Sequence, residues 1–229
     1  MRVQLQPAFI LHTRPFTESS LILEVLTAHH GRMVLMARSV RGASSRVRGI
    51  LRPFVPLLLS WSGKGEMMQL STAELESPPL HLSGRALFTG FYLNELMMRL
   101  IPRSDPQAKI FEYYRTILHD LQRLEDKRHL ELTLRLFEKR FLTELGYGLK
   151  LDHDDQQVPV LADQTYQFVM GKGLVKSAIG LLGRHLLAFH QGCLQTREEF
   201  LTAKSITRTA FIELLGDKPL KSQLLFKIL

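Results

Sequence analysis

Leu21-Ile22-Leu23-Glu24-Val25-Leu26-Thr27-Ala28-His29-His30-Gly31-Arg32-Met33-Val34-Leu35-Met36-Ala37-Arg38 holds two short apolar runs around a His-His-Gly turn. Met33, Leu35 and Ala37 alternate onto one face, which is the two-residue period of a strand with one side buried. Working outward, Ala8–Thr13 is a similar short run, and Thr17-Glu18-Ser19 separates it from the Ser20–Thr27 run as a turn. On the other side, Ile50–Trp61 reads as a fourth extended run, with Pro53 and Pro56 favouring an edge or bulged strand. Ser62-Gly63-Lys64-Gly65 is a hairpin-type turn, and Glu66–Glu76 closes the set with Met68, Leu70 and Thr72 alternating. Five short strands suit a small barrel, for which the oligonucleotide-binding (OB) barrel is the first candidate; a sandwich or an SH3-like barrel fits the pattern too.

The same stretch is one-sided in charge. Between Glu24 and Glu66 there is no acidic residue, yet seven basic ones occur: Arg32, Arg38, Arg41, Arg46, Arg48, Arg52 and Lys64. An ordinary surface mixes signs to limit self-repulsion. Guanidinium groups spaced along strand ends and a hydroxyl-rich loop, Ser39 to Gly49, present forked donors that match phosphate oxygens. These seven residues are therefore the candidate nucleic-acid groove. A solvated charged surface is the plainer alternative.

Beyond Pro78-Pro79 the period becomes helical, so the expected boundary separates residues 1–79 from a helical domain over 80–229. Leu82–Ile101 is apolar almost all round, as a covered central helix should be, and Pro102 stops it. Asp105-Pro106 predicts the start of a second helix burying Ile110, Tyr113, Tyr114, Ile117, Leu118, Leu121 and Leu124. A third is expected over Arg128–Leu145, closed by Gly146-Tyr147-Gly148. Residues 149–178 form a small irregular lobe with a short strand at Thr165–Met170. Leu181–His190 is expected to be helical, Thr196 with Glu199 predicts a capping box, and Pro219–Ile228 a final basic helix. The fold class expected is α+β multidomain, an N-terminal five-stranded OB-fold barrel followed by a helical C-terminal domain.

Composition narrows the function. With 229 residues and 45% hydrophobic content, the chain has enough length and apolar surface for a substantial core. A formal charge of +8 and a pI near 9.8 call for an acidic partner: nucleic acid, an anionic surface or an acidic peptide. The single cysteine, Cys193, excludes an internal disulfide and fits a reducing compartment. No secretory pattern opens the chain, and Arg85, Glu95 and Arg99 interrupt its most apolar helix, so no membrane partner is expected.

No nucleophile elbow, P-loop or H-E-x-x-H pattern is present, and Gly63-Lys64-Gly65 lacks the spacing of a phosphate cradle. No catalytic residue and no cofactor is assigned. Asp152-His153-Asp154-Asp155 reads as a solvated loop rather than a zinc site, because structural zinc prefers four Cys or His ligands. On the third helix, Arg128, Leu132, Arg135, Leu136 and Lys139 fall on one stripe, where basic heads beside leucines would receive an acidic peptide with an apolar end. Glu131, four residues before Arg135, offers an ordinary helix ion pair instead.

The chain resembles the RecO family of bacterial recombination mediators. The carrying segments are Ala8-Phe9-Ile10-Leu11-His12-Thr13-Arg14-Pro15-Phe16-Thr17-Glu18-Ser19-Ser20-Leu21, Leu51-Arg52-Pro53-Phe54-Val55-Pro56-Leu57, Gly63-Lys64-Gly65-Glu66, Tyr92-Leu93-Asn94-Glu95-Leu96, Leu145-Gly146-Tyr147-Gly148, and Leu215-Gly216-Asp217-Lys218-Pro219-Leu220-Lys221-Ser222. The resemblance implies an OB barrel joined to a helical domain, binding to single- and double-stranded DNA, and annealing of complementary strands. It also implies action with RecR on strands coated by single-strand-binding protein, so that RecA is loaded indirectly, and a cytoplasmic, nucleoid-associated place of work. Contact with the acidic C-terminal tail of single-strand-binding protein would fall on the Arg128–Lys139 stripe, with Arg135 as the first choice. Some members carry a four-cysteine zinc site after the Leu-Gly-Tyr-Gly segment; here the Asp152–Asp155 loop stands there, so no metal is expected. Two rivals remain at this point: a basic adaptor that binds only an acidic peptide, and a nuclease, which would need a carboxylate cluster beside the groove.

Overall fold

The computed structural model describes residues 1–42, 47–124 and 126–222. Five strands close into a barrel: β1 (Arg2–Pro15), β2 (Leu21–Thr27), β3 (Gly31–Ala37), β4 (Leu57–Ser62) and β5 (Met67–Leu75). Their order around the barrel is β1-β2-β3-β5-β4, with β3 and β5 parallel and every other pair antiparallel. This is the OB-type barrel expected from the sequence. Leu23, Leu35, Leu57, Leu59 and Trp61 are fully buried inside it, each large aliphatic contributing about 1.5–3 kcal/mol relative to exposure.

The β2–β3 turn explains its sequence. Thr27 Oγ1 donates to the Gly31 carbonyl and accepts from the His30 amide, closing the connection tightly. Gly31 has φ +68°, and a Cβ there would lie 2.1 Å from the Asp105 carbonyl oxygen, so only glycine fits. β1 pairs with β4 through its first half and with β2 through its second. Its register slips between Ile10 and His12, a bulge that leaves the Leu11 carbonyl outside the ladder.

The expected Ile50–Trp61 strand is shorter than predicted: only Leu57–Ser62 is extended and paired. Pro53 and Pro56 cannot donate to a ladder, and Phe54 adopts φ +65°, which turns the chain. Residues 47–56 therefore form a loop anchored by apolar side chains. Val47, Ile50, Leu51 and Val55 pack on the barrel core. Phe54 is buried over Gly90, where a Cβ would come within 2.8 Å of its ring.

Helices α1 (Gly84–Leu100), α2 (Ala108–Arg123) and α3 (Lys127–Glu144) follow. Leu93, Leu96 and Met97 on α1 and Ile110, Phe111 and Tyr114 on α2 are fully buried. Asp126 caps α3 by accepting the His129 amide at 3.0 Å. A three-stranded sheet of β6 (Thr165–Val169), β7 (Gly173–Lys176) and β8 (Leu181–Leu182) lies in the stretch read as irregular, and α4 (Gly183–Gln191) starts only after β8 pairs with β6. α5 (Arg197–Leu215) opens with the reciprocal Thr196–Glu199 capping box. Beyond Ser222 the expected C-terminal helix lies outside the described residues.

Met1–Arg123 and the segment from Leu220 form one compact unit, and Leu124–Pro219 forms a second. In the first, Asn94 on α1 donates to the Leu11 carbonyl at 2.8 Å and accepts from the Tyr114 hydroxyl. The carbonyl freed by the β1 bulge is thus satisfied by α1. Among the described residues, no helix is long and apolar enough to cross a membrane.

Candidate nucleic-acid interface

Six of the seven basic residues of the acid-poor stretch are described, and they do not share one surface. Arg32 is withdrawn: its guanidinium meets Glu24 at 2.8 Å, Nε donates to the Ile101 carbonyl at 2.9 Å, and its side chain is 13% exposed. Arg103 reaches the other Glu24 oxygen at 2.9 Å. Arg32 is therefore an internal clamp, not an open phosphate contact.

Arg38, Arg48 and Arg52 are exposed, and none pairs with a carboxylate among the described residues. Arg38 follows the last residue of β3. Arg48 and Arg52 stand between the apolar anchors of the 47–56 loop, so packing of Val47, Ile50, Leu51 and Val55 leaves these cations in water. Arg52 Nε donates to the Gly49 carbonyl at 3.2 Å, bracing the loop. Arg41 is half-buried, and its guanidinium donates to the Thr17 carbonyl. Arg46 lies outside the described residues.

Lys64 is exposed in the β4–β5 turn but stands apart. Met67 of β5 is level with Val34 of β3, so the turn before it lies towards the Gly31 end of β3, while Arg38 lies past the other end. Seven strand residues between those levels span roughly 23 Å. The structure gathers Arg38 with Arg41, whose amide bonds the same Ser19 carbonyl that Val40 uses. It does not gather Lys64 with them.

Two residues outside the predicted set share the Arg38 end: Arg14, exposed near the end of β1, and Phe16, 53% exposed just after it. Trp61 and Phe54 are 0% and 5% exposed and belong to the core, so neither offers a ring to a base. The sequence signal for Phe16 is the run of four polar residues, Thr17 to Ser20, that follows it.

On α3, the predicted peptide stripe has its cations engaged. Arg135 is buried, pairs with Glu138 at 2.7 Å and donates to Thr207 of α5 at 2.9 Å. Lys139 donates to the Phe189 and His190 carbonyls, capping the C-terminal end of α4, and lies over the Phe189 ring. Burial lowers the Lys139 pKa, with Asp152 opposing that shift and Arg140 adding to it. Arg128 is exposed and donates to the Gln195 carbonyl; Leu132 and Leu136 are half-buried.

In the Asp152–Asp155 loop, Asp154 accepts the amides of Gln156 at 3.0 Å and Val158 at 2.8 Å, an arrangement that holds the loop by hydrogen bonds. Asp152 pairs with His153 at 3.1 Å. Among the described residues, no three His, Cys, Asp or Glu side chains are grouped to hold a metal ion.

The sequence matches the family described as Recombination protein O N terminal over residues 1–79 and Recombination protein O C terminal over residues 81–224. It is 43% identical to the DNA repair protein RecO of Coxiella burnetii (strain RSA 493 / Nine Mile phase I), covering 98% of this chain and 99% of that protein. It is 41% identical to the protein of that name from Nitrosospira multiformis, over 99% and 96% of the two chains. The Nitrosococcus oceani protein is 40% identical, over 97% and 92%.

Proposed function

The chain belongs to the RecO family, and from that membership we propose that it is a non-enzymatic mediator of DNA repair and recombination. It binds single- and double-stranded DNA, anneals complementary strands, and acts with RecR on strands coated by single-strand-binding protein so that RecA loads. The observation that carries this reading is the set of exposed arginines: Arg38 just past the end of β3, and Arg48 and Arg52 on a loop whose apolar residues pack on the barrel core. Two strands repel through their phosphates, and guanidinium groups fixed along one barrel end lower that repulsion while releasing condensed counterions. No bond chemistry is needed.

In this proposal the acidic tail of single-strand-binding protein docks on the α3 stripe. Exposed Arg128 beside the half-buried Leu132 and Leu136 supports that placement, while Arg135 and Lys139 fix α3 against α5 and α4 and so shape the stripe. The protein works in the cytoplasm at the nucleoid. The deciding experiment is strand annealing by the purified chain, with complementary oligonucleotides, bare and coated by single-strand-binding protein. Faster annealing in both conditions is expected; a rate equal to the protein-free control would overturn the proposal.

A further inference from the structure

Phe16 is the outlier among the aromatic residues of the barrel segment. Residues 1–79 contain Phe9, Phe16, Phe54 and Trp61. Three of these are core residues at 0–5% exposure, and Phe16 is 53% exposed. An exposed ring on a floppy terminus would signify little, but the backbone here is fixed. The Phe16 amide donates to the Ser20 carbonyl at 3.1 Å, extending the β1–β2 ladder one step past Pro15↔Leu21. Ser20 N donates to Thr17 Oγ1 at 3.1 Å, and the Ser19 carbonyl accepts from both Val40 and Arg41. The Arg41 guanidinium closes the turn on the Thr17 carbonyl.

This register places charge around the ring. Phe16 follows the last residue of β1, and the hydrogen bond from its amide to Ser20 continues the strand pairing, so it lies on the face of Arg14, about 7 Å away. Leu21 pairs with Pro15 on one side and Ala37 on the other, so one step further Ser20 stands between Phe16 and Arg38. Two strand spacings separate Pro15 from Ala37 by about 10 Å, and Phe16 and Arg38 are the residues that follow them. The one acidic residue in the turn is Glu18. A rigidly mounted, water-exposed ring flanked by Arg14, Arg38 and Arg41 is a poor fit for duplex DNA, whose bases are stacked and inaccessible. It fits a strand with unstacked bases, one base lying on the ring while neighbouring phosphates meet the arginines.

We infer that Phe16 is a base-stacking platform through which this barrel end favours single strands over duplex. The inference rests on the nucleic-acid reading above and names the residue that distinguishes the two substrates. Because the ring is exposed, Phe16→Ala leaves the fold intact, checked by its thermal unfolding midpoint. The probes are oligo(dT), an abasic oligonucleotide of equal length, and a duplex, with the full chain at one salt concentration. Phe16→Ala should bind oligo(dT) about fivefold or more weakly, with duplex and abasic affinities within about twofold of the parent. Equal oligo(dT) affinity for parent and variant, or an equal loss on all three probes, overturns the inference. The triple reversal of Arg38, Arg48 and Arg52 to Glu separates the two readings: if it loses affinity while Phe16→Ala does not, the platform alone fails. If the parent chain binds none of the three probes, the nucleic-acid reading fails and takes the platform with it.

Discussion

Glu24, the last acidic residue before the basic stretch, neutralises Arg32, the first cation within it, at 2.8 Å. The two side chains sit on adjacent strands two positions out of register, since Glu24 faces Val34 and Arg32 faces Leu26. Glu24 also holds Arg103, so one carboxylate ties β2, β3 and the segment after α1 together. Glu24→Gln should lower stability by about 1–3 kcal/mol in urea unfolding, since it leaves two guanidinium groups short of their acceptor. Arg32→Ala should lose stability similarly while changing oligonucleotide affinity less than about twofold; a large affinity loss at unchanged stability would return Arg32 to the interface.

Asn94 serves two buried groups at once. Asn94→Ala strands the Leu11 carbonyl and the Tyr114 hydroxyl, and should cost about 2–4 kcal/mol by denaturant titration. Tyr114→Phe, which strands only one acceptor, should cost less. Burial raises the Tyr114 pKa, keeping its hydroxyl a donor to Asn94.

Gly90 sets the position of the arginine loop. Gly90→Ala drives a methyl group into the Phe54 ring and should destabilise the chain by about 1–3 kcal/mol. Hydrogen exchange of the 47–56 amides is the check: faster exchange there, with the barrel strands protected, is the expected pattern.

His30 lies edge-on to Trp61 with ring centroids 5.3 Å apart. Burial, and then the neighbouring His29, hold its pKa below the ordinary 6.5. The folded chain therefore binds fewer protons than the unfolded chain between the lowered value and 6.5, so this contribution is intact above 6.5 and declines as pH falls through that interval. His30→Gln should flatten the midpoint-versus-pH curve there; an unchanged slope would assign the dependence to other groups.

The barrel is legible because β2 and β3 are short apolar runs of strand length and their turn carries Gly31. The Thr196–Glu199 capping box was readable for the same reason: local chemistry alone decides it. Ile50–Pro56 misread as strand because its apolar content is real but plugs the barrel from a loop, and nothing in the sequence announces φ +65° at Phe54. The seven cations looked equivalent along the chain. Folding separates them, because strand register pairs Arg32 with Glu24 and sends Lys64 to the far end of β3. Arg135 shows the same limit: Glu131 was the partner suggested by four-residue spacing, whereas Glu138 and the distant Thr207 hold it. Long-range partners follow from packing, which periodicity does not encode.

The most direct test of the central claim is a salt titration of oligonucleotide affinity, comparing the parent chain with a variant carrying Arg38→Glu, Arg48→Glu and Arg52→Glu. If these three arginines meet phosphates, the parent affinity falls steeply with salt, and the variant binds more weakly with a log–log slope shallower by about 2. Identical affinity and slope for the two proteins would contradict the account.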